Sequence, residues 1–258
     1  MKADKLRTAI IYIIIILLGL ICLLPLLNII AISFSSSAAV EGNMVGLIPV
    51  GFSTAAYEKI LEDSQFWHSF LISVERVVLA LIINFVLIVL MAYPLSKTNA
   101  QFRGRNIYAN LMIFAMLFNG GMIPTFLVVK SYGLLNTVWA LVLPGAVPIF
   151  NVILVMNFFA AVPKELEEAA FIDGANPLQV LTKIFIPISK PVLATVSLFS
   201  IVGSWNDFYS GLIYMSKATY YPLMTYIQSL QINVEDLIKQ GNLSAVVDPA
   251  ALGNTNLN

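Results

Sequence analysis

An uncharged apolar run near the N-terminus constrains this chain more than any other feature. Residues 8–34 contain no acidic or basic side chain. A helix needs about 20 apolar residues to cross the ~30 Å hydrocarbon core of a bilayer, so this run is long enough to cross it. A cleaved signal peptide is the alternative, but the run is too long and no small-residue cleavage site cleanly follows it. We therefore predict that residues 8–34 form a membrane-spanning helix.

The composition of the whole chain agrees with a membrane environment. Of its 258 residues, 59% are hydrophobic and only 11% are charged, whereas about a quarter of the residues in a soluble domain are charged. The net charge is zero and gives no bulk attraction to nucleic acid. The single histidine excludes a site built on several histidines. We predict an all-α membrane protein with no catalytic residue, no metal site and no nucleic-acid partner.

Four further apolar runs predict a polytopic helical bundle that forms a single transmembrane domain over residues 1–258. The fourth span carries Pro144 and Pro148. Prolines within spans are tolerated where neighbouring helices satisfy the freed carbonyls, so we expect a kinked helix inside a bundle. The five predicted spans are, approximately, residues 8–34, 70–95, 107–129, 138–161 and 191–215.

Basic residues are unevenly distributed between alternate loops. Lys and Arg concentrate in the N-terminal tail, in the loop after the second span and in residues 162–191. Such an excess marks the cytoplasmic side, so we predict a cytoplasmic N-terminus and an external segment at residues 35–69. Residues 216–258 are then an external tail, which we predict to be a loop because it contains no further run long enough to cross.

The most informative segment is residues 162–191, in which glycine and proline mark the helix ends. Gly174 ends a first helix, because glycine adopts left-handed φ freely. Asn176 caps a second helix, predicted over residues 178–186 and ended by Pro187. The segment therefore predicts a helix-turn-helix that lies on the cytoplasmic face of the membrane.

The same segment resembles the EAA loop of ABC importer permeases, in the Glu-Ala-Ala sequence, the following glycine and the Ile-Phe-Ile-Pro run. The resemblance implies the fold of a type I ABC importer transmembrane subunit. In that family the loop docks in a cleft of the ATP-binding subunit. The residues that the resemblance assigns to coupling are Glu168, Ala169, Ala170, Asp173, Gly174, Ile184 and Pro187.

Two other stretches, residues 118–125 and 205–207, resemble the carbohydrate-uptake branch of these permeases, the class of the maltose permease's second subunit. The closest resemblance is to permeases for complex oligosaccharides, some rich in uronic acids, alginate among them. This implies an oligosaccharide substrate and a place in the bacterial cytoplasmic (inner) membrane. The implied partners are a second homologous permease, two ATP-binding subunits and an external solute-binding protein. Family members have six spans, whereas five are predicted here. The family's sixth span is therefore expected to be absent.

Two other functions can be weighed against this one from the sequence. No glycine precedes a lysine, so there is no P-loop to cradle ATP phosphates. We expect that the chain is not an enzyme by itself and holds no cofactor, and that partner subunits bind Mg-ATP. The alternative function is a secondary transporter or channel for a small polar solute, which internal repeats or midplane charges would favour. A membrane-bound enzyme would need a cluster of acids, histidines or a nucleophile with its base.

Six residues are candidates for the substrate pathway. An ionisable residue at the predicted depth of Asp207 is a functional candidate, and the alternative is a structural pair near the outer interface. The rings of Trp205 and Tyr209 suit stacking on a sugar, but such residues also form interfacial belts. A polar-glycine pair in the third span either breaks that helix at the pathway or provides a packing notch. The six are Asn119, Gly120, Trp205, Asn206, Asp207 and Tyr209.

Charge leaves the class of oligosaccharide open. Asp207 in the pathway would disfavour an anionic sugar by like charge unless it faces a basic partner. Neutral and acidic oligosaccharides therefore both remain possible substrates. Glu75 and Arg76, near the start of the second span, are predicted to form an interfacial ion pair with each other.

Overall fold

The computed structural model describes residues 2–239 of the chain, and every residue of a regular element within that range is helical. The chain divides into two compact units, Met1–Trp67 and His68–Asn258. The single transmembrane domain predicted for the whole chain is not tested by this division and stays a prediction. The part of the predicted tail beyond residue 239 lies outside the described residues.

The first unit is dominated by one long helix, α1 (Lys2–Ser33). Its described apolar side chains are almost all exposed, as suits a helix whose surroundings are lipid. Two short helices follow, α2 (Ser37–Glu41) and α3 (Ala55–Glu62). The Phe34 ring stacks on Tyr57 at a centroid distance of 5.0 Å, which fixes the turn after α1 against α3.

Most of α4 (Ser64–Leu95), a single unbroken helix, belongs to the second unit. Most of the other helices are short and come in pairs. They are α5 (Arg105–Leu117), α6 (Met122–Ser131), α7 (Val138–Val142), α8 (Ile149–Ala160), α9 (Lys164–Ile172), α10 (Pro177–Val180), α11 (Ile186–Ile188), α12 (Lys190–Asn206), α13 (Tyr209–Tyr214) and α14 (Leu223–Lys239).

Three pairs of these helices are bent at a short break. The angle is 112° between α5 and α6, 47° between Val138–Gly145 and α8, and 84° between Pro177–Ile188 and α12. The 47° bend contains Pro144 and Pro148, so the predicted kink is present. By length and composition, two described helices are able to cross a bilayer, or five if each bent pair counts as one crossing. The number of spans stays a prediction.

The main core of the second unit joins α4 to α8, α12 and the 162–191 segment. Apolar side chains of α4 recur at helical spacing, as in Ile88, Ala92 and Leu95, and all three are buried. They pack with Val155, Phe159, Val180, Phe185 and Val196. The 162–191 segment is therefore built into the bundle by its inner face and is not an appended loop.

The C-terminal third differs from a simple reading of its sequence in two places, while the predicted span itself stays a prediction. The predicted span 191–215 is not one helix, because Asp207 is extended (φ −78°, ψ 99°) between α12 and α13. Its carboxylate accepts a 3.1 Å hydrogen bond from the Ser210 N–H and so caps the new helix. The predicted loop in the tail contains α14, which a search for long apolar runs misses. The start of α14 is held by its Leu223 N–H, which donates to Ser73 Oγ at 2.7 Å.

Candidate coupling segment and polar cavity

The first helix of the 162–191 segment ends as the sequence predicts. Gly174 has φ +83°, the left-handed conformation that glycine adopts without strain. Its N–H donates to the Phe171 carbonyl at 3.0 Å, and the Ala175 N–H donates to the Ala170 carbonyl at 2.9 Å. This pair of bonds is a Schellman motif, which satisfies the last carbonyls of α9.

The second helix begins at a capping box. Asn176 Oδ1 accepts from the Gln179 N–H, and Gln179 Oε1 accepts from the Asn176 N–H, both at 2.9 Å. The predicted cap is therefore confirmed. The predicted end at Pro187 is wrong, because the helix continues to Ile188. Pro187 falls in the first turn of α11, where a missing N–H donor is tolerated.

The predicted coupling residues do not all lie together. Ala170, Asp173, Gly174 and Ile184 line a surface groove of about 370 Å³ between the two helices. Glu168, Ala169 and Pro187 are exposed outside the groove lining. The apolar side chains of Ile172 and Leu178 are also exposed on this segment, by 86% and 61%. The groove lining also includes Lys183, so its wall carries one acidic and one basic side chain beside apolar ones.

The sequence reasoning missed a buried ion pair on the inner side of the segment. Lys97 Nζ lies 2.7 Å from Glu167 Oε2, and the two side chains are only 12% and 11% exposed. Tyr93 Oη donates to Glu167 Oε1 at 3.3 Å. Burial lowers the pKa of Lys97 from its ordinary value, while the hydrogen bond and the charge of Glu167 oppose that shift. One signal was available: Glu167 lies three residues before Ala170 and so shares the inward face of α9.

A second ion pair lies between α4 and the start of α13. Arg76 is 4% exposed; its Nη1 donates to the Asp207 carbonyl oxygen at 2.8 Å and its Nη2 to the Asp207 carboxylate. Ser210 Oγ donates to the same carboxylate at 2.6 Å. The predicted pair of Glu75 with Arg76 is wrong. Adjacent residues on a helix point in different directions, and Glu75 is exposed while Arg76 is buried.

This ion pair borders a polar cavity of about 270 Å³. The Asn84 amide lies 3.3 Å from Ser200 Oγ within it, and Asn151 is 5% exposed. Within residues 2–239, no group of three or more His, Cys, Asp or Glu side chains is placed to hold a metal ion. The polar side chains that line the cavity are Arg76, Asn84, Asn151, Ser200, Ser204, Asp207, Ser210 and Tyr214.

The other predicted pathway residues lie outside the lining of this cavity. Asn119 and Gly120 fall in the break between α5 and α6, so the predicted break is present. A Cβ added at Gly120 meets no atom within 4 Å, so no packing notch exists among the described residues. Trp205 packs edge-on against Phe70, with centroids 6.0 Å apart.

Tyr209 and Asn206 lie beside the Asp207 turn and are exposed. Tyr209 Oη donates to Met122 Sδ at 2.9 Å, which links the start of α13 to the start of α6. Of the six candidates, the structure therefore places Asp207 in the cavity wall and Tyr209 next to the α5–α6 break. A role for any of the six in substrate passage stays a prediction.

The helical architecture and the 162–191 segment agree with a known family of membrane proteins. The family model described as the binding-protein-dependent transport system inner membrane component matches residues 4–247. The chain belongs to this family. It is the membrane permease component of an ABC transporter, located in the inner membrane, and is not itself the catalytic subunit.

Curated relatives and a solved structure narrow the class of permease. The chain is 44% identical over 214 residues to Protein LplC of Bacillus subtilis, covering 83% of this chain and 72% of the relative. It is 40% identical over 241 residues to the polygalacturonan/rhamnogalacturonan transport system permease protein YtcP of the same organism, covering 93% and 83%. A solved chain from a bacterial ABC transporter involved in the import of the acidic polysaccharide alginate matches with a TM-score of 0.82 and 34% identity, covering 92% and 83%.

These similarities identify the permease as a subunit of a sugar or oligosaccharide ABC importer with the type I transmembrane fold. They decide between the two functions that the sequence left open, because a secondary transporter or channel does not belong to this family. The resemblance seen in the EAA sequence and in residues 118–125 and 205–207 is thereby confirmed at the level of the family.

Proposed function

We propose that this permease imports acidic oligosaccharides, forms the translocation pathway with a second homologous permease, and couples to two separate ATPase subunits through the 162–191 segment. An external solute-binding protein delivers the sugar. The N-terminus and the 162–191 segment lie in the cytoplasm, and residues 35–69 lie outside. The proposal goes beyond family membership in its substrate class, its sidedness and its coupling residues.

The exposed groove of the 162–191 segment is the observation that carries the coupling part of the proposal. Its walls come from two short helices whose relative direction is set by Gly174 and by the capping box of Asn176. Exposed Ile172 and Leu178 are available for apolar contact with a protein surface. Glu168 is exposed beside them and offers a carboxylate to a basic group of the ATPase. Mg-ATP is bound by the ATPase subunits.

The Arg76–Asp207 pair removes the charge objection to an acidic substrate. Alone, Asp207 would repel an anionic sugar from the polar cavity. Its carboxylate is paired with a buried guanidinium, and these two residues are the oppositely charged members of the lining. The cavity wall therefore carries no net charge, and the amides and hydroxyls beside the pair suit sugar hydroxyl and carboxylate groups. The names of YtcP and of the alginate importer point to acidic polysaccharides as well.

Uptake by the complete complex in proteoliposomes tests the substrate class. We expect import of uronate-containing oligosaccharides, such as oligogalacturonides or alginate fragments, when the solute-binding protein and internal Mg-ATP are present. Neutral oligosaccharides of the same length are the matched controls. Import of the neutral oligosaccharides alone would contradict the acidic substrate and leave the permease role unchanged.

A further inference from the structure

One ammonium group links both helices of the 162–191 segment to α4. Lys97 Nζ lies 4.1 Å from the ring centroid of Tyr93 and 4.2 Å from that of Phe185, and it forms the 2.7 Å ion pair with Glu167. Tyr93 belongs to α4, Glu167 to α9 and Phe185 to the one-turn π-helix that follows α10. We call these four residues the Lys97 tether.

The aromatic members of the tether are fixed in the main core. The Phe185 ring packs edge-on against Tyr93 and Phe159, with centroid distances of 5.1 Å and 5.4 Å, and Phe185 is 2% exposed. A cation between two ring faces is attracted by both. The carboxylate of Glu167 closes the remaining side of the ammonium group. Lys97 is therefore held in one place relative to both helices of the segment.

The same α4 helix holds the second ion pair in its N-terminal half. Arg76, on α4, binds the backbone carbonyl and the carboxylate of Asp207 at the α12–α13 break. From Arg76 to Leu95 the helix is continuous, and at ~1.5 Å per residue this distance is about 30 Å. One continuous helix thus joins the 162–191 segment to the polar cavity, with a buried ionic contact at Arg76 and another just after its C-terminal end at Lys97.

We propose that Lys97 and Glu167 are positioning residues that carry movement of the 162–191 segment to α4, and through α4 to the Arg76–Asp207 pair at the cavity. The inference rests on the proposed docking of ATPase subunits on that segment. An ion pair this well buried resists separation, because parting the two charges would leave each one unpaired in a poorly solvated site. Displacement of α9 therefore moves α4 with it, where an apolar contact would let the two helices slide.

The test compares substitutions in the complete transporter, reconstituted with its solute-binding protein in vesicles. The readouts are the amount of ATPase subunit that co-purifies, the rate of ATP hydrolysis and the amount of sugar imported per ATP. We expect Lys97→Met and Glu167→Gln to retain their ATPase subunits but to lose about fivefold or more in sugar imported per ATP. Lys97→Arg keeps a cation over the two rings and is expected to retain most of the coupling. Glu165→Gln, an exposed change on the same helix, is the matched control and is expected to behave as wild type.

A structural role predicts something different. Wild-type coupling in Lys97→Met would overturn the inference, and so would a loss of import that merely follows the loss of assembled complex. If a single variant does not assemble, the double variant Lys97→Met/Glu167→Gln leaves no buried charge unpaired. Low sugar imported per ATP in an assembled double variant supports the inference. Wild-type coupling, or no assembly, of the double variant overturns it.

The proposed docking is tested in parallel by Glu168→Lys. If that variant binds its ATPase subunits and couples as wild type does, the docking proposal fails. If it loses the ATPase subunits while Lys97→Met couples normally, docking stands and only the positioning role of the Lys97 tether is refuted.

Discussion

Arg76 donates hydrogen bonds to both the backbone carbonyl oxygen and the side-chain carboxylate of Asp207, although 131 residues of sequence separate Arg76 from Asp207. The contact holds the one extended residue between α12 and α13, and the Asp207 carboxylate caps the following helix by accepting the Ser210 N–H. Because the guanidinium is almost completely buried, its charge depends on this one carboxylate. The relationship makes Asp207 a structural residue as well as a member of the cavity wall.

Asp207→Asn is therefore expected to destabilise the permease. The change leaves the Arg76 charge buried without a counter-charge, which typically costs about 3 kcal/mol. We expect a lower midpoint of thermal unfolding for the purified complex. The double variant Arg76→Leu/Asp207→Asn should recover much of the loss because no charge remains to be buried. Glu75→Gln, the exposed neighbour, is the control, and an equal loss of stability in Glu75→Gln and Asp207→Asn would refute the expectation.

Gly174 is expected to tolerate only residues that accept left-handed backbone. A β-branched residue at φ +83° costs about 1–2 kcal/mol of strain, whereas asparagine enters this region more readily. An added Cβ meets no atom within 4 Å, so the effect comes from the backbone and not from crowding. We expect Gly174→Val to retain less ATPase subunit in co-purification than Gly174→Asn. Equal retention by the two variants would show that the left-handed turn is not needed for docking.

Glu168 and Glu167 are adjacent in sequence, but Glu168 is exposed and Glu167 is buried, so their substitutions should separate binding from stability. Glu168 is exposed, and Glu168→Lys is expected to leave the unfolding midpoint unchanged while weakening ATPase binding by a few kcal/mol through loss of a charge-assisted contact. Glu167→Lys is expected to lower the midpoint, because it places a second cation against Lys97. Calorimetry and co-purification measure the two effects. The expectation fails if Glu168→Lys destabilises as much as Glu167→Lys.

The sidedness of the membrane insertion is open to labelling with an impermeant thiol reagent. Cys22 is the single native cysteine, so Cys22→Ser provides a background without thiols. Cysteine introduced by Lys59→Cys is expected to be labelled from outside, and cysteine from Lys183→Cys only after the membrane is permeabilised, because basic loops remain in the cytoplasm. Both lysines are exposed. External labelling of the Lys183→Cys variant would reverse the proposed orientation.

The helix-capping preferences of individual residues predicted the turn and the cap of the 162–191 segment. The left-handed turn at Gly174 and the cap at Asn176 depend on neighbouring residues alone, and both are present. The break at Asn119 and Gly120 was one of two interpretations of the polar-glycine pair, and it too follows from neighbouring residues. These features need no knowledge of distant parts of the chain.

The ion pairs were not predictable in the same way. Arg76 was assigned to its neighbour Glu75, but its partner lies at Asp207, and Lys97 finds Glu167 70 residues away. Such pairs depend on which helices pack together, and the hydropathy pattern does not specify packing. The helix α14 was missed because only apolar length was examined. An amphipathic helix of 17 residues is too short to stand out by that measure.

The 112° break between α5 and α6 has a consequence for how long an unassembled subunit survives in the cell. The two helices have 13 and 10 residues, so neither alone reaches across the ~30 Å bilayer core. A break interrupts the helical hydrogen-bond ladder, and only some of its polar groups find partners within the turn, as the Gly121 N–H does in Asn119 Oδ1. Unpaired backbone groups are tolerated at membrane depth only when protein or trapped water shields them, and a solitary copy in lipid would lack the cover that neighbouring subunits give. We expect membrane proteases to remove copies made without companion subunits, so that the amount of this protein in the cell is set by the supply of its partners.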